Sequence, residues 1–404
     1  KMTPEIDREY SKILDKIAEK LDLTDNQYEI ATRSYQAVAS WLDAPDSPLR
    51  PYRPHISPQG SFRYGTVIRP LLEDEEYDVD LTCKLHISES QISQQWLKKV
   101  VGDRLKANET YKRMLAPEKR RCWRLQYNDQ FRFHLDIVPS IPDSAQYIQQ
   151  LTTQLAVPRS LAVYALCITD NEMWDTDIDF PKSNPEGYAL WFLQTMKVEF
   201  DRRRMLLAEQ MKMSVDDVPE YRVKTPLQRV VQLLKRHRDL RYGDNPNSPI
   251  SIIITTLAAK AYQNETDIFV ALRNVLSRMA SFIELDEQGN KVVKNPVNPL
   301  ENFADKWAEN PEKEELFFEW LNRAKRDFDQ LAQKRGLPEL AVPLQQYFGE
   351  NIVKKALNEV AEQTLKEREA NRLFMAAGTG ILSSQQTPKS VPVTQHNPYG
   401  SDKG

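Results

Sequence analysis

Two segments of this chain place carboxylates on one face of a strand and apolar side chains on the other. The first reads Glu76-Tyr77-Asp78-Val79-Asp80-Leu81 and continues through Cys83 and Leu85. The second reads Phe131-Arg132-Phe133-His134-Leu135-Asp136-Ile137-Val138. Alternate side chains of a strand point to opposite faces. Tyr77, Val79, Leu81, Cys83 and Leu85 therefore share an apolar face, and Asp78 and Asp80 share the other. In the later segment Phe131, Phe133, Leu135 and Ile137 go one way and Asp136 goes the other, with His134 on its side. Three carboxylates on adjacent strands make a site for Mg²⁺, since hard cations take oxygen ligands. Ahead of them stands Gly60-Ser61-Phe62-Arg63-Tyr64-Gly65-Thr66. Gly60 lets the backbone approach a phosphate closely, and Ser61 offers a hydroxyl and an N–H at a helix start. Acids for a divalent metal pair beside a phosphate-holding turn point to nucleotidyl transfer, a reaction carried by positioning and charge stabilisation.

Each piece alone has a plainer reading. Gly-Ser pairs are common in loops, Asp-x-Asp on a strand edge is ordinarily a solvated face, and Asp136 by itself fits a buried acid paired with an arginine. Their order along the chain is what carries the reading.

The elements that must position these residues follow from periodicity. Ile6, Tyr10, Ile13, Leu14 and Ile17 recur at helix spacing, and Thr24-Asp25-Asn26-Gln27 fits a capping box opening a second helix to about Leu42. Prolines 45, 48, 51, 54 and 58 then make a loop. A short helix is expected after Gly60-Ser61, strands near 77–86, 121–127 and 131–138, and a helix near 90–105. Asn128-Asp129-Gln130 reads as the turn of a hairpin between the last two strands. This is an α+β pattern with strands of mixed direction. Beyond about 185 the strand signals fade. Ser183-Asn184-Pro185-Glu186 caps a helix running to about Met213, and Pro226 opens another reaching about Leu240. Further helices are expected near 265–283, 301–309, 311–335 and 343–375. Ile250-Ser251-Ile252-Ile253-Ile254 scores as strand by β-branching yet continues into Leu257-Ala258-Ala259-Lys260-Ala261, which favours helix. From 377 to 404 Gly, Ser, Gln, Pro and Thr dominate, a composition read as a flexible tail.

The order of motifs resembles the DNA polymerase beta-like nucleotidyltransferase superfamily, and more closely the cGAS/DncV-like nucleotidyltransferases (CD-NTases) of bacterial CBASS anti-phage systems. Ser183-Asn184-Pro185-Glu186-Gly187-Tyr188 with Trp191-Phe192 looks like the start of that family's helical lobe. Lys224-Thr225-Pro226-Leu227-Gln228-Arg229, continuing to Leu234-Lys235-Arg236-His237-Arg238-Asp239, is similar to its triphosphate-binding helix. Ser248-Pro249-Ile250-Ser251 and Asn295-Pro296-Val297-Asn298-Pro299 with Glu301-Asn302-Phe303 also match. The likeness spans roughly 50–350. It implies a polymerase beta-like core over 1–182, an all-helical lobe over 183–376, an active site in the cleft between them, and the tail from 377.

The resemblance further implies a cytoplasmic synthase. It would join nucleoside triphosphates into a cyclic di- or trinucleotide second messenger by attack of a ribose hydroxyl on an α-phosphate, with loss of pyrophosphate. The messenger would reach a separate effector. Asp78, Asp80 and Asp136 would hold two Mg²⁺ (or Mn²⁺), Gln59, Gly60 and Ser61 would meet the nucleotide, and Lys235 and Ser251 would reach the β- and γ-phosphates. Without the resemblance Lys235 reads as a lysine lying along its helix surface. His237 reads the same way, His134 as a structural or supporting residue, and Glu73-Asp74-Glu75-Glu76 as a solvated loop. The alternative chemistry is a linear oligonucleotide synthase, or transfer to a protein or small molecule. In some related operons the synthase C-terminus is conjugated to other molecules; a flexible tail ending in Gly404 is compatible with conjugation or regulatory proteins acting on it, and equally with a remnant left by cloning.

The formal net charge of −3 argues against a general nucleic-acid binder, and 40% hydrophobic with 28% charged residues describes an ordinary globular chain. Lys119-Arg120-Arg121 and Arg202-Arg203-Arg204 read as solvated faces or phosphate steering ahead of a nucleic-acid track. Activation by nucleic acid is not supported, since no Cys/His cluster offers the zinc-binding insertion of the animal DNA sensor. Cys83, Cys122 and Cys167 lie too far apart for a zinc or disulfide framework, and the first and last read as buried thiols. No stretch approaches the roughly 18 apolar residues of a membrane span, and the first residues lack the apolar run of a signal peptide.

Overall fold

The computed structural model describes residues 4–71, 76–128, 132–176, 179–376, 382–384, 386 and 390–393. Its centre is a six-stranded mixed sheet: β1 (His55–Pro58), β2 (Tyr77–Lys84), β3 (Trp123–Tyr127), β4 (Phe133–Pro142), β5 (Leu166–Ile168) and β6 (Lys182–Ser183). The order is β1-β2-β4-β5-β6, with β3 also paired to β4. β2 and β4 run parallel and bring Asp80 beside Asp136 and Asp78 beside His134. β3 runs antiparallel to β4 and brings Arg124 opposite Asp136. The expected β3–β4 hairpin is thus present, although Asp129 and Gln130 of its turn lie outside the described residues.

The apolar faces read from the alternation are those buried. Val79, Leu81, Cys83, Leu125, Leu135 and Ile137 are fully enclosed, and they pack with Ala31, Val38 and Leu42 of α2 (Asp25–Leu42, after α1, Pro4–Leu21). Leu97, Val101 and Leu105 complete this core from α4 (Gln94–Lys106), which follows the short α3 (Gly60–Tyr64). Each such side chain contributes about 1.5–3 kcal/mol on burial, so the strand faces are fixed and a one-residue slip would drive the carboxylates into the core. The Thr24–Gln27 capping box opens α2 as the sequence indicates.

Between the sheet strands and the long helices come α5 (Glu109–Met114), α6 (Ala145–Thr153) and α7 (Arg159–Ala162). Then follow α8 (Pro185–Met211), α9 (Pro226–Tyr242), α10 (Ser251–Ala261), α11 (Ile268–Arg278), α12 (Asp305–Glu309), α13 (Pro311–Leu331), α14 (Gly336–Phe348) and α15 (Glu350–Glu369). Asn184 caps α8 by accepting from the Gly187 N–H, with Pro185 in the first turn. Thr225 and Gln228 form a second capping box at α9. The segment 250–254 is helical: Ile253, Ile254, Leu257 and Ala258 are buried on several sides of α10, and packing overrides β-branched propensity there.

Three expectations need correction. The stretch 343–375 is two helices, broken at Gly349 (φ 101°), followed by a strand at Phe374–Ala376. Residues 298–302 form a strand before the short α12, and Glu284–Leu285 pairs with Lys291–Val292, so short hairpins interrupt the helical half. In the region read as a flexible tail, Leu382–Ser383 and Ser390–Pro392 pair with Phe374–Ala376. Apart from Ser384, Gln386 and Val393, the rest of that tail, Gly404 included, lies outside the described residues.

A second, larger core is made by the helices, and α1 belongs to it: Tyr10, Ile13, Leu14 and Ile17 pack with residues of α9, α11 and α15. Cys83 and Cys167 are buried as expected. The arginines of the two basic triplets are committed locally. Arg120 and Arg121 both bind Asp170, Arg202 binds Glu199, and Arg203 and Arg204 donate to backbone carbonyls. Among the described residues no helix is long and apolar enough to cross a membrane.

Candidate active site

The Gly60-Ser61 turn is built directly onto the Asp-x-Asp strand. The Gln59 N–H donates to the Asp80 carbonyl at 2.8 Å, which ties the end of β1 to β2. Gly60 then takes a left-handed conformation (φ 62°), and a Cβ there would stand 2.6 Å from Asp80 Oδ2. Only glycine fits both constraints. Ser61 follows in the first turn of α3, and Ser61, Gly60, Asp78 and Asp80 line one cavity of about 940 Å³. Lys235 and Arg238 of α9 and Ser251 at the start of α10 form the facing wall. Residues about 175 positions apart in the sequence are thereby brought to one cleft between the sheet and the helices.

The carboxylates are arranged unequally. Asp136 is held by a two-pronged ion pair, with Arg124 Nε and Nη2 donating to its two oxygens at 2.7 and 2.6 Å. The same guanidinium lies 3.7 Å from Asp78 Oδ1. Asp78 also pairs with His134 Nε2, and His134 Nδ1 meets Glu76 Oε2 at 2.9 Å. Among the described residues Asp80 makes no ion pair, although the charges of Arg124 and Lys235 act on it at longer range. Burial, then the charges of Asp78 and Asp136, push its carboxyl up to about 7, and burial first raises Asp78 as well. Ligand atoms of Asp78, His134 and Asp136 lie within 4.8 Å of one another. Asp80 stands outside that group, yet the charges of Asp78 and Asp136 act on it, and carboxylates set this close at like charge fit a hard divalent cation.

Across the cleft Lys235 is 6% exposed and donates to the Thr66 carbonyl at 3.0 Å. Burial, then the charge of Arg238, lowers its ammonium to about 8. It is therefore an enclosed cation facing the cavity, and the surface-lysine reading fails. Arg238 Nη1 donates to Ser251 Oγ at 3.0 Å and to the Pro249 carbonyl at 2.8 Å, joining α9 to the first turn of α10.

One relative in sequence settles the family. A "c-di-GMP synthase" of Roseivirga ehrenbergii is 31% identical over 390 residues, 96% of this chain and 96% of that protein. The chain belongs to the cGAS/DncV-like nucleotidyltransferases. Residues 54–139 also match the family described as "Cyclic GMP-AMP synthase DncV-like, nucleotidyltransferase domain". In fold the chain is similar to Bradyrhizobium diazoefficiens CdnG in complex with GTP (TM-score 0.66, 21% identity, 87% of this chain and 99% of that one). It is also similar to Escherichia coli CdnC with ATP (TM-score 0.57, 16% identity, 84% and 96%). This DncV-like enzyme is a nucleotidyltransferase of the cyclic oligonucleotide synthase class, with the polymerase beta-like α+β fold.

Within this DncV-like enzyme the cavity collects Gly60, Ser61, Asp78, Asp80, Lys235 and Ser251. Asp136 stands behind them, beside Asp80 on the sheet. Gln59 does not line that cavity: it lines another, of about 980 Å³, with His55, Arg63 and Tyr221. Its contribution to the site is the backbone bond to Asp80.

Two sequence readings are overturned. Glu76 belongs to the cavity wall and binds His134, so the last residue of the acidic run is no solvated loop; Glu73, Asp74 and Glu75 lie outside the described residues. His237 is buried and bound to Asp327 at 3.0 Å, because the side of α9 carrying it packs on α13 and α14.

Arg124 and Arg238 are the residues sequence reasoning passed over. The alternation of Trp123, Leu125 and Tyr127 as apolar residues already put Arg124 on the polar face, and the hairpin then sets it across from Asp136. A second acidic cluster, Glu89, Asp143 and Cys167, encloses the Lys182 ammonium at 3.1, 2.8 and 3.2 Å. Its demand for a cation is met by that lysine.

Proposed function

We propose that this chain condenses two molecules of GTP into cyclic di-GMP, with Asp78, Asp80 and Asp136 holding Mg²⁺ and the Gly60-Ser61 turn, Lys235 and Ser251 holding the triphosphate. The observation that carries the site is the register of β2 and β4, which sets Asp80 beside Asp136 on the face that meets the Gly60 turn. Support for guanine comes from the 31% relative named as a c-di-GMP synthase and from the CdnG complex with GTP.

In each step a ribose hydroxyl oxygen forms a bond to an α-phosphorus. The bond from that phosphorus to the β-bridging oxygen breaks, and pyrophosphate leaves with the electron pair. Mg²⁺, when bound, neutralises phosphate charge and makes the hydroxyl more acidic. The backbone at Gly60 and the Ser61 hydroxyl fix the phosphates against β2. Lys235 turns its ammonium from the Thr66 carbonyl to a phosphate oxygen; a lysine lowered to about 8 by burial is recharged by that anion. Asp136 receives the hydroxyl proton on a carboxylate oxygen, and Arg124 keeps the group oriented. The second round uses the same groups after the linear intermediate has turned, and closure gives the ring. We assign the product to anti-phage signalling through a separate effector, and regulation to partner proteins; E. coli CdnC, similar in fold (TM-score 0.55), forms a complex with HORMA.

Incubating the protein with GTP and Mg²⁺ tests this directly. The expected product resists phosphatase and has the mass of cyclic di-GMP. A phosphatase-sensitive ladder, a product that requires another NTP, or undiminished synthesis by Asp78→Asn with Asp80→Asn would overturn it.

A further inference from the structure

The segment that follows the Gly60 turn, as far as Pro70, has its carbonyls met by side chains of one helix and of the residue just ahead of it, while Arg69 ties it to the end of α1 through Leu21 and Asp22. Residues 64–70 leave α3 as an irregular strap along the mouth of the active-site cavity, and Thr66, Val67, Ile68, Arg69 and Pro70 line that cavity. Backbone carbonyls in an irregular segment need donors as much as those of a helix do. Here side chains of α9 supply them. Gln228 Nε2 donates to the Tyr64 carbonyl at 2.9 Å, Gln232 Nε2 to Val67 at 3.0 Å, Lys235 Nζ to Thr66 at 3.0 Å and Arg236 Nη2 to Arg69 at 2.5 Å. Just ahead of the helix, Lys224 Nζ donates to Gly65 at 2.8 Å. Positions 228, 232, 235 and 236 recur at i, i+4, i+7 and i+8, so they fall on one face of the helix.

Both glutamines are buried and both ends of each amide are used. Gln228 Oε1 accepts from the Thr225 N–H at 2.8 Å, which is its half of the capping box. Gln232 Nε2 also donates to Asp22 Oδ1 at 2.8 Å, while its Oε1 accepts from Arg229 at 3.1 Å. Asp22 follows α1 and is itself paired with Arg229 at 2.8 Å. The strap, α9 and the end of α1 are thus locked in one register. The Thr66 N–H donates to the Ser61 carbonyl at 2.9 Å, which carries that register back to the phosphate turn.

We propose that Gln228 and Gln232 are positioning residues for triphosphate binding: by hydrogen-bonding the Tyr64 and Val67 carbonyls they set the distance between Ser61 on one wall of the cleft and Lys235 on the other. This rests on the reading above that Ser61 and Lys235 grip the phosphates. The ladder also explains why Lys235 is the member free to leave. The strap keeps its other donors when the ammonium moves to a phosphate, so the cleft need not open to admit the ligand.

Gln228→Glu isolates the contact. Glutamate keeps the acceptor of the capping box and replaces the donor to Tyr64 with an oxygen. Equilibrium binding of GTP and of GMP to the full chain, with Mg²⁺, is the measurement. The expected result is at least about tenfold weaker GTP binding, the scale of one lost hydrogen bond, with GMP binding changed less than threefold. Gln232→Met is expected to do the same and serves if Gln228→Glu does not fold. Val353→Ala, a truncation in the buried face of α15, is the control for general loosening: it should lower the melting temperature and leave the GTP-to-GMP ratio alone. The proposal is overturned if the glutamine variants keep the wild-type ratio, or if Val353→Ala shifts it equally. Lys235→Met separates the two levels. If that variant keeps full GTP affinity, the triphosphate grip itself is misassigned; if it loses affinity and the glutamine variants do not, only the positioning role falls.

Discussion

Replacing Gly60 with alanine strikes the point where the phosphate turn and the metal-binding strand touch. Two penalties arise. The backbone at φ 62° is left-handed, which costs a residue with a Cβ about 1–3 kcal/mol. The new methyl would also lie 2.6 Å from Asp80 Oδ2, about 0.8 Å inside the 3.4 Å at which ordinary contact begins. That neighbour is a short carboxylate fixed to a strand that is buried on its other face, so it has little room to yield. Either Asp80 or the first turn of α3 must shift by most of that distance. Displacements on the order of 1 Å in a reacting constellation cost about 10²-fold in rate. The expected result is a fall of about 10²-fold in kcat for cyclic product formation. Thermal stability falls too, at about 2–4 °C per kcal/mol for a domain of 150–250 residues. Pyrophosphate release at saturating GTP, measured well below the melting transition, separates the two. A Gly60→Ala enzyme with kcat within threefold of wild type would show that the close approach of the turn to Asp80 is not used in catalysis.

Four further outcomes are expected. Arg124→Lys keeps the charge but loses the two-pronged hold on Asp136, and a supporting residue of this kind is worth about 10–100-fold; activity titrated against Mg²⁺ should show a reduced maximum rate or a higher metal requirement, and unchanged behaviour would contradict the role given to Arg124. Mg²⁺ should raise the melting temperature of the wild type, by ligand binding to the folded state, and should leave Asp78→Asn/Asp80→Asn unmoved; an equal rise in both would place the metal elsewhere. Gly65→Ala, whose Cβ would stand 2.5 Å from Gln228 Nε2 at φ 69°, should weaken GTP binding more than GMP binding in the same assay as Gln228→Glu. Asp170 is buried, which opposes its charge, but hydrogen bonds from Arg120, the Glu172 N–H and Arg121 outweigh this and hold its carboxyl below the usual range. A depressed folded-state value stabilises the fold above the ordinary carboxylate range and is lost as pH falls below about 4. Asp170→Asn should therefore lower stability at neutral pH and flatten the acid limb of the melting curve, and an unchanged acid limb would remove Asp170 from that account.

Much of the site was legible because strands have a period of two. The alternation around Asp78, Asp80 and Asp136 assigned each residue a face before any pairing was known, and burial of Val79, Leu81, Leu135 and Ile137 enforces that assignment. Local capping chemistry was equally readable at Thr24 and Asn184, which cap the helices they precede. Where one segment served two propensities, as at 250–254, the sequence left the matter open and packing closed it. The break at Gly349 was missed because an apolar period of 3.6 continues on both sides of it.

The sequence by itself determined which residues carry oxygen ligands, which backbone positions demand glycine, and that the chain alternates strand with helix before turning helical. These are properties of one residue and its near neighbours. Tertiary structure alone decided that Arg124 grips Asp136, that His237 turns to Asp327, that Gln59 faces a second cavity, and that α9 reads the carbonyls of a strap some 165 residues earlier. Those facts depend on which surfaces meet. A side chain's partner is fixed by the folded path of distant segments, and no local period along the chain encodes that path.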